Sequence, residues 1–464
     1  MFFRGGVFTL SMAWGNFTTT LFISLIAFIV LGIKVATKWK SIETLLLAWS
    51  ALMFFAMASQ NRFAYFFAVN AAILSGYVGV KLMDLGGLKK TQQLFKEKVQ
   101  KVSDLKAFVP NHLSVADVFM LGTVMLLVLS VSIIPSAQSS MQMSEWGTGV
   151  QPDWHESLLW MRENTPDPGI DFYGIYEAPP AGERFPFPDE AYSVMSWWDY
   201  GHIITYYAHR IPVANPFQAG IGGRLLDDGT RSPGASTFFT AQEESEAKYI
   251  AEDLGVRYVM IDSRMAFMDG IFMPIAIWSV GGDAEKAWEI FTDVITGPDG
   301  NPQQVPSLAY WNTMVTRLHL FDGSEVSLGE EISVEALSHF RLIHESPSVA
   351  GSIGATNVHH IKTFEKVEGA TLRGNIEPNE TVNLSIAIMS NQNRAFVHRQ
   401  TEISDSNGNF EFVVPYSTEG PIYGETQFVV KPIGLYQIEV GGNITEVAVS
   451  ELAVLEGHVI RVDK

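Results

Sequence analysis

The sequence predicts a multidomain membrane protein: an α-helical bundle of four transmembrane spans, a mixed α/β extracytoplasmic domain and a C-terminal all-β, sandwich-like module. Three observations support this fold class. Residues 18–137 contain four apolar segments of about 20 residues, the length needed to cross a bilayer. Strand-like and helix-like runs alternate over 138–350. Short runs of alternating polarity, separated by turn residues, occupy 351–464.

The apolar segments define the predicted membrane domain. The predicted spans are 18–36, 44–59, 63–82 and 118–137. Residues 1–17 are then the end of an external loop, and 83–113 form a basic loop between spans three and four. Within that loop, apolar residues recur along one side of 91–108, which predicts one amphipathic helix at the membrane surface.

The distribution of lysines predicts how the spans are oriented. Three lysines lie around the loop between spans one and two, and seven lie around the loop between spans three and four. The opposite side has only Arg4 and Arg62. Because positively charged short loops stay in the cytoplasm, we expect both lysine-rich loops there. The protein is then a multi-pass protein of the cell membrane whose residues after span four are extracytoplasmic.

Charge and cysteine content exclude several classes of partner and site. The first 135 residues hold 12 of the 31 Lys/Arg and 5 of the 50 Asp/Glu residues, so the net charge of the remainder is −26. An acidic surface repels the phosphate backbone, which argues against nucleic acid as a partner. The chain has no cysteine, which excludes disulfides, thiolate chemistry and cysteine-ligated zinc.

The pentapeptide Trp197-Trp198-Asp199-Tyr200-Gly201 carries the most specific chemistry. Each tryptophan indole has one N–H donor and no acceptor, while an ionised aspartate only accepts hydrogen bonds. Two donors and one acceptor match the two lone pairs and the O–H of an aliphatic hydroxyl. We therefore expect a site for a serine or threonine side chain. Such a site rejects alanine, because its polar groups would remain unpaired.

A structural role for the same stretch is the alternative. Ser196 and Asp199 have nearly the spacing of a capping box, which would start a helix at 202–210. The two tryptophans would then be core residues of the first turn, and Gly201 would be a packing contact.

A second candidate site follows a predicted buried strand at 256–261, which ends at Asp262. The stretch after it, which contains Met265, Ile275 and Ile277, is rich in Met, Ile and Phe and by itself indicates only a buried helix. The other predicted elements of this domain include helices at 154–161 and 242–254 and a strand at 172–176.

A family resemblance rests on the WWDYG pentapeptide and its setting. The chain reads VMSWWDYGH at 194–202 and RIPVANPF at 210–217. This resembles the catalytic subunit of archaeal, AglB-type oligosaccharyltransferases. The resemblance implies a GT-C-type glycosyltransferase that moves a glycan from a lipid-linked oligosaccharide of the dolichol phosphate type to Asn in Asn-X-Ser/Thr sequons. It also implies that Trp197, Trp198 and Asp199 bind the sequon hydroxyl.

The resemblance extends to the second candidate site. Asp262 and Met265 fit the Asp-x-x-Met form of the family's second sequon-side motif. The residue that packs on the threonine methyl is then Ile275 or Ile277. Many archaeal members have a lysine after this motif, where this chain has residues 269–271, so no role that depends on that lysine is expected.

Arg62 is the informative charge of the membrane domain. An arginine at the end of a span commonly extends to the membrane interface, which is its ordinary role. Its planar guanidinium also suits bidentate binding of a phosphate. The stretch NRFAY at 61–65 is similar to the family's, and the resemblance implies that Arg62 binds the pyrophosphate of the lipid-linked oligosaccharide.

Metal ligands are expected outside this chain. The four spans contain no Asp/Glu cluster, and His202, His209, His359 and His360 lack metal-binding spacing. The resemblance implies Mg²⁺ or Mn²⁺ in the complete enzyme, held by loops that precede this chain. We therefore expect the chain to be the C-terminal half of an enzyme, with no catalytic residue of its own, and to be inactive alone.

Two functions are consistent with these observations. The first is the acceptor-binding half of an oligosaccharyltransferase. The alternative is a non-catalytic, membrane-anchored extracellular binding protein that displays its β-module. Four sequons on the outer side make the chain a candidate substrate of its own pathway: those of Asn16, Asn379, Asn383 and Asn443.

Overall fold

Among the residues that the computed structural model describes, four helices are long and apolar enough to cross a membrane. They are Thr20–Thr37, Ser41–Ser59, Asn61–Leu85 and Val115–Ser144. The structure describes residues 3–4, 7–145, 149–180, 183, 185–297, 300–329, 332–354 and 356–462, so the predicted external loop 1–17 lies partly outside the described residues. The number and order of the predicted spans are confirmed.

The chain divides into two units, Met1–Gly149 and Val150–Lys464. Strands β1 and β2 of the first unit are Phe3–Arg4 and Val7–Phe8. Its helices are α1 Ser11–Phe17, α2 Thr20–Thr37, α3 Ser41–Ser59, α4 Ala64–Leu85, α5 Leu88–Lys98, α6 Leu105–His112, α7 Val115–Val128 and α8 Ile134–Glu145.

Aromatic packing and a few polar contacts join the helices of the first unit. Phe67 of α4 packs edge-on against Phe17 and Phe54, with ring centroids 5.7 Å apart in both pairs. The Asn70 amide donates to the Ser50 hydroxyl at 3.2 Å, and both side chains are fully buried. Such interhelical hydrogen bonds stabilise helix pairs in a bilayer, where no water competes.

The predicted amphipathic helix at 91–108 is two helices, α5 and α6. The Asp104 carboxylate accepts from the backbone N–H groups of Gln100 and Lys101, at 3.1 and 2.9 Å. A side chain that binds these amides offers the backbone an alternative to the helical ladder, which ends the first helix.

The second unit holds the remaining elements. Its strands are β3 Ser193–Met195, β4 Ile211–Pro212, β5 Val256–Asp262, β6 Thr292–Thr296, β7 Pro302–Pro306, β8 Val326–Leu328, β9 Ile332–Val334, β10 Phe340–Glu345, β11 Val349–Ile353, β12 Thr356–His359, β13 Ile361–Lys366, β14 Ala370–Asn375, β15 Thr381–Met389, β16 Ala395–Ile403, β17 Asn409–Val414, β18 Lys431–Pro432, β19 Tyr436–Val440, β20 Asn443–Val447 and β21 Val459–Arg461. Its helices are α9 Pro152–Asn164, α10 Gly201–Ile203, α11 Ala235–Thr240, α12 Glu244–Asp253, α13 Ser263–Ala266, α14 Phe272–Ser279, α15 Ala284–Phe291, α16 Leu308–Trp311, α17 Met314–His319 and α18 Glu451–Glu456.

A five-stranded mixed sheet in the order β10-β13-β5-β3-β4 forms the α/β core, as the predicted fold class requires. β5 pairs antiparallel with β13 and parallel with β3. Because β13 belongs to this sheet, the predicted boundary between 350 and 351 falls inside the α/β domain. The sequence of β13, IKTFEK, does not by itself indicate this placement, and only its pairing with β5 assigns it.

The predicted strand at 172–176 is wrong. The segment forms a turn, in which the Asp171 carboxylate accepts a hydrogen bond from the backbone N–H of Tyr173 at 2.9 Å. Side chains that bind nearby backbone groups in this way favour turns over strands.

The C-terminal region is β-rich, as predicted. β17, β14 and β21 form one sheet, while β16, β15, β19 and β20 form another, with β18 also paired to β15. In β15 buried residues alternate with more exposed ones, the pattern of a strand with one face on a core.

A buried ionic cluster joins this β-rich region to the mixed sheet. Arg394, in the turn between β15 and β16, contacts Asp322 at 2.7 Å and Glu345 of β10 at 2.6 Å. Lys362 of β13 contacts the other oxygen of Asp322 at 2.6 Å. Each charge in the cluster therefore has an opposite charge beside it, which buried charges require.

Candidate functional site

The WWDYG pentapeptide forms a tight turn at the end of β3. Trp198–Tyr200 is one turn of 3₁₀ helix, which continues into α10 and then into a π-helical turn at Ile204–Ala208. His209 ends the segment with a positive φ of 49°. The predicted helix at 202–210 is therefore shorter and irregular. π-helical turns are rare in proteins, and those that are present are frequently found at functional sites.

Close packing explains the glycine of the pentapeptide. A Cβ atom at Gly201 would lie 2.2 Å from the carbonyl oxygen of Ala214 and 2.7 Å from the Cα of Asn215. The loop after β4 thus lies directly against the turn, and only glycine leaves room for it. This packing contact agrees with the structural alternative for Gly201.

The two tryptophans and the aspartate differ in exposure. Trp197 is 2% exposed, Trp198 is half-buried and Asp199 is exposed. The indole ring centroids are 6.2 Å apart, with an angle of 55° between the ring planes. Trp198 and Asp199 thus offer surface that a peptide can reach, and the Trp197 N–H is not sealed from solvent despite the burial of the ring.

The polar groups of these three side chains have no partner in the part of the chain that the structure describes: neither indole N–H donates a hydrogen bond and the Asp199 carboxylate accepts none. The proposed capping box is absent too, because the buried Ser196 hydroxyl has no hydrogen-bond partner among the described residues. The turn therefore presents two donors and one acceptor that the fold itself does not use.

The pKa of Asp199 reflects its partial burial. Removal from water raises the pKa of this carboxyl, and the positive charge of Arg264 acts in the opposite direction. Arg264 is exposed and lies in α13, directly after Asp262 and Ser263. Sequence reasoning did not single out Arg264, because its proximity to Asp199 depends on the fold.

Asp262 is a support for the turn and not an exposed contact. It is 1% exposed, and its Oδ2 accepts from the Trp154 indole and from the Tyr200 hydroxyl, both at 2.9 Å. Its Oδ1 accepts from the backbone N–H of Arg264 at 2.8 Å, which caps α13. One carboxylate thus ties α9, the WWDYG turn and α13 together at the end of β5.

Trp154 is a member of this network that sequence reasoning did not identify. Its ring stacks on Tyr200 with centroids 4.2 Å apart, in addition to its hydrogen bond to Asp262. The only signal in the sequence is a tryptophan in a predicted amphipathic helix, which is equally typical of an ordinary core residue.

The remaining residues of the second motif are mostly buried. Met265 and Ile275 are fully buried, whereas Ile277 is partly exposed. Of the two candidate isoleucines, only Ile277 therefore has surface that a ligand can contact in this structure.

Arg62 lies in the first unit, in the one-turn 3₁₀ helix Asn61–Phe63 between α3 and α4. Its side chain is exposed. Its Nε donates to the Gln60 side chain at 2.6 Å, and its guanidinium carbon is 5.6 Å from the centre of the Phe63 ring. Among the residues described by the structure no carboxylate pairs with Arg62, so the guanidinium keeps donors for an external anion.

The described part of the chain has no group of three or more His, Asp or Glu side chains arranged to hold a metal ion.

Two family models match the chain: the AglB core domain over residues 151–266, and the archaeal glycosylation protein B long peripheral domain over residues 369–460. The first match contains the WWDYG turn and most of its supporting network. The second covers most of the β-rich region.

Curated relatives match nearly the whole chain. Dolichyl-phosphooligosaccharide-protein glycotransferase 3 of Archaeoglobus fulgidus is 31% identical over 100% of this chain and 58% of its own length. Dolichyl-monophosphooligosaccharide–protein glycotransferase AglB of Haloferax volcanii is 25% identical over 94% of this chain and 50% of its own length. The chain spans about half the length of these relatives.

Solved structures of an Archaeoglobus fulgidus oligosaccharyltransferase are similar over the full chain. One, AglB in complex with an inhibitory peptide and a dolichol-phosphate, has a TM-score of 0.74 at 30% identity, covering 100% of this chain and 58% of that one. A second is tethered to an acceptor peptide that contains the NVT sequon, with a TM-score of 0.74, 29% identity and coverage of 100% and 59%. A third, in complex with Zn and sulfate, has a TM-score of 0.70, 28% identity and coverage of 98% and 60%.

The WWDYG turn, the two family models, the curated glycotransferases and the shared fold all agree. This chain belongs to the AglB-type archaeal oligosaccharyltransferase family, of whose longer members it covers the C-terminal half.

Proposed function

We propose that this chain is the acceptor-binding half of an oligosaccharyltransferase, in which Trp197, Trp198 and Asp199 hold the hydroxyl of an Asn-X-Ser/Thr sequon. The observation that carries the proposal is that these three side chains leave two N–H donors and one carboxylate unpaired. The two indoles donate to the lone pairs of the hydroxyl, and its O–H donates to Asp199. The tethered NVT-sequon peptide of a solved relative supports this ligand class.

The rest of the pentapeptide and the second motif position this trio. Tyr200 and Asp262 hold the turn in place through their hydrogen bond, and Gly201 allows the Ala214 loop to press against it. Met265 of α13 is fully buried and supports the site from the core. Ile277 is the residue that contacts the threonine methyl, since its surface is partly exposed.

Arg62 binds the phosphate of the lipid-linked oligosaccharide, the donor substrate. Its exposed guanidinium has no carboxylate partner among the described residues, and a planar fork of donors suits a phosphate. The dolichol-phosphate bound by a solved relative supports a dolichol-type carrier. A cation at this point stabilises the negative charge that develops on the leaving phosphate.

The distribution of lysines supports an extracytoplasmic second unit, because positively charged short loops stay in the cytoplasm. The metal in the complete enzyme is Mg²⁺ or Mn²⁺, and its ligands come from residues other than those described for this chain. The zinc-bound solved relative shows that a member of this family takes a divalent metal. The chain alone then binds the acceptor without transferring a glycan to it.

The test is binding of a fluorescent Asn-Val-Thr peptide to the detergent-solubilised full chain, measured by fluorescence polarisation beside an Asn-Val-Ala peptide. A hydrogen bond to a charged group contributes ~1.5–3 kcal/mol, so we expect the threonine peptide to bind roughly tenfold to a hundredfold more tightly. Asp199→Asn and Trp198→Phe should each reduce that ratio.

Matched controls lie elsewhere in the second unit. Asp293→Asn changes an exposed aspartate of β6, and Trp288→Phe changes a tryptophan that is 39% exposed. Both should leave the ratio unchanged. Equal binding of the two peptides to the unmodified chain would reject the hydroxyl site and would favour a binding protein of another kind.

A further inference from the structure

Four asparagines stand in Asn-x-Ser/Thr sequons, and the structure separates them into two pairs. Asn16 and Asn383 lie in regular structure with their side chains engaged. Asn379 lies in a turn and Asn443 begins β20; both are exposed, and their side chains make no hydrogen bond among the described residues. N-linked modification requires that the asparagine and the hydroxyl two residues later be accessible together, so this difference decides which sequons are usable.

The sequon of Asn16 combines a hydrogen-bonded asparagine with a buried threonine. Asn16 lies in α1, and its amide already donates to the Asn61 side chain at 3.1 Å. The hydroxyl-bearing residue, Thr18, is 9% exposed, and its hydroxyl lies 3.5 Å from that of Ser136.

The sequon of Asn383 lies in the interior of a sheet. Asn383 pairs with Thr401 of β16 on one side and with Glu439 of β19 on the other. Its side-chain oxygen also accepts from the Thr401 hydroxyl at 3.4 Å. Presenting this segment to an enzyme would require breaking backbone hydrogen bonds on both sides of the strand.

The sequon of Asn379 lies in a turn. Asn379 has a positive φ of 60° and is exposed, and Thr381, the first residue of β15, is exposed as well. Asn443 begins β20, which pairs with β19 on one side only and follows Gly441 and Gly442, both with positive φ. Over the described residues, no side-chain hydrogen bond involves Asn379, Thr381, Asn443 or Thr445.

Both usable sequons lie near the same end of one sheet. Val382 of β15 pairs with Val440 of β19, which pairs with Asn443. Two large apolar side chains are exposed beside them: Ile403, opposite Thr381, is 66% exposed, and Ile444 is 59% exposed. A hydrated glycan at this end would cover apolar surface that no described part of the chain covers.

We propose that Asn379 and Asn443 carry N-linked glycans, and that Asn16 and Asn383 remain unmodified. The inference rests on the proposed extracytoplasmic orientation but not on this chain being the transferring enzyme. In the reaction the asparagine Nδ2 forms a bond to the anomeric carbon of the sugar. The bond from that carbon to the phosphate oxygen of the lipid carrier breaks, and the amide loses one proton to the medium.

The experiment is glycopeptide mass spectrometry of the full chain, purified from the membranes of an archaeal host whose secreted proteins carry N-linked glycans. We expect peptides that contain Asn379 and Asn443 to bear a glycan. Peptides that contain Asn16 and Asn383 should have their unmodified mass.

Two pairs of variants distinguish the loss of a sequon from a loss of folding or export. Thr381→Ala and Thr445→Ala keep each asparagine but remove its hydroxyl partner, so each should abolish only its own glycan. Thr381→Ser and Thr445→Ser keep the sequon and should retain the glycan, which shows that the substitution itself does not prevent folding or export.

Unmodified Asn379 and Asn443, in cells whose own secreted sequons are occupied, would overturn the proposal, and so would a glycan on Asn383. The proposed function fails on a different result, namely a fully glycosylated chain that does not distinguish the Asn-Val-Thr from the Asn-Val-Ala peptide.

Discussion

At the scale of single residues, a few close contacts define the candidate acceptor site. Gly201 allows the backbone of the Ala214 loop to touch the WWDYG turn. Asp199 is accessible at the surface but is partly shielded from water, which raises its pKa. The positive charge of Arg264 acts in the opposite direction. The site thus depends on the one residue that has no side chain as much as on those that contact a ligand.

Gly201→Ala should destabilise the second unit by ~1–3 kcal/mol, the usual cost of an overpacked core. The added methyl group would lie 2.2 Å from the Ala214 carbonyl oxygen, so the loop has to move. Urea unfolding followed by tryptophan fluorescence measures the change. Gly420→Ala is the control, because a Cβ there meets nothing within 4 Å. Equal stability of the two variants would contradict the packing argument.

Peptide binding should weaken as the pH falls, because only the ionised Asp199 accepts the O–H of the sequon. Burial raises the pKa of Asp199 and Arg264 partly offsets this, so the loss should occur above the ordinary aspartate value of about 3.9. Binding of the Asn-Val-Thr peptide from pH 7 to 4 measures it. Asp199→Asn should bind weakly and without this pH dependence, and an identical profile for both proteins would exclude Asp199.

At the scale of elements, the end of β5 organises the site. Asp262 there joins α9 through Trp154, the WWDYG turn through Tyr200, and α13 through its N-terminal cap. Trp154 and Tyr200 lie 108 and 62 residues away from Asp262 along the chain. The turn is therefore held by tertiary contacts more than by its own short helix.

Trp154→Phe should lower the stability of the second unit by ~1–3 kcal/mol, because Asp262 loses one donor while the ring can still stack on Tyr200. It should also reduce the preference for the threonine peptide, since the turn is less firmly positioned. Unfolding and peptide polarisation on the same preparation separate the two effects. Loss of stability with an unchanged threonine preference would restrict Trp154 to a structural role.

Strand β16 contains a buried histidine that should make the fold sensitive to acid. Burial lowers the pKa of His398 to about 4, against 6.5 for an exposed histidine. Because the unfolded chain binds this proton more readily, its contribution to stability is complete above pH 6.5 and is lost as the pH falls toward 4. The loss amounts to ~3 kcal/mol for this group.

His398→Leu should flatten the dependence of unfolding free energy on pH between 6.5 and 4. Urea unfolding at several pH values gives the slope. His458→Leu is the control, because it removes a histidine that is exposed, and it should change the slope less than His398→Leu. An unaltered slope in the His398 variant would show that this histidine is not buried in its neutral form.

At the scale of the whole molecule, charge is distributed between an apolar, basic first unit and an acidic second unit. Within the second unit, the ionic cluster of Arg394, Asp322, Glu345 and Lys362 joins the β-rich region to the mixed sheet. Burial favours the neutral form of Asp322, but Lys362 and Arg394 outweigh it and lower the pKa of Asp322 to about 2.

Arg394→Ala should destabilise the second unit by ~3–5 kcal/mol, because Asp322 and Glu345 lose a buried partner. Arg373→Ala is the matched control within the same region, since its ion pair with Glu411 is exposed and contributes at most ~1 kcal/mol. Calorimetric unfolding of both variants measures the difference. Comparable losses would mean that the cluster is not sealed from water.

The sequence by itself determined the four spans, their predicted orientation, the β-rich end of the chain and the donor and acceptor chemistry of WWDYG. These features depend on side-chain type and on local periodicity, which short stretches of sequence contain in full. Only the tertiary structure decided that Asp262 is buried beneath the turn and that Trp154 belongs to its network. It also decided that β13 joins the mixed sheet and which sequons have free side chains. Those outcomes depend on contacts between residues far apart along the chain, and no local pattern specifies them.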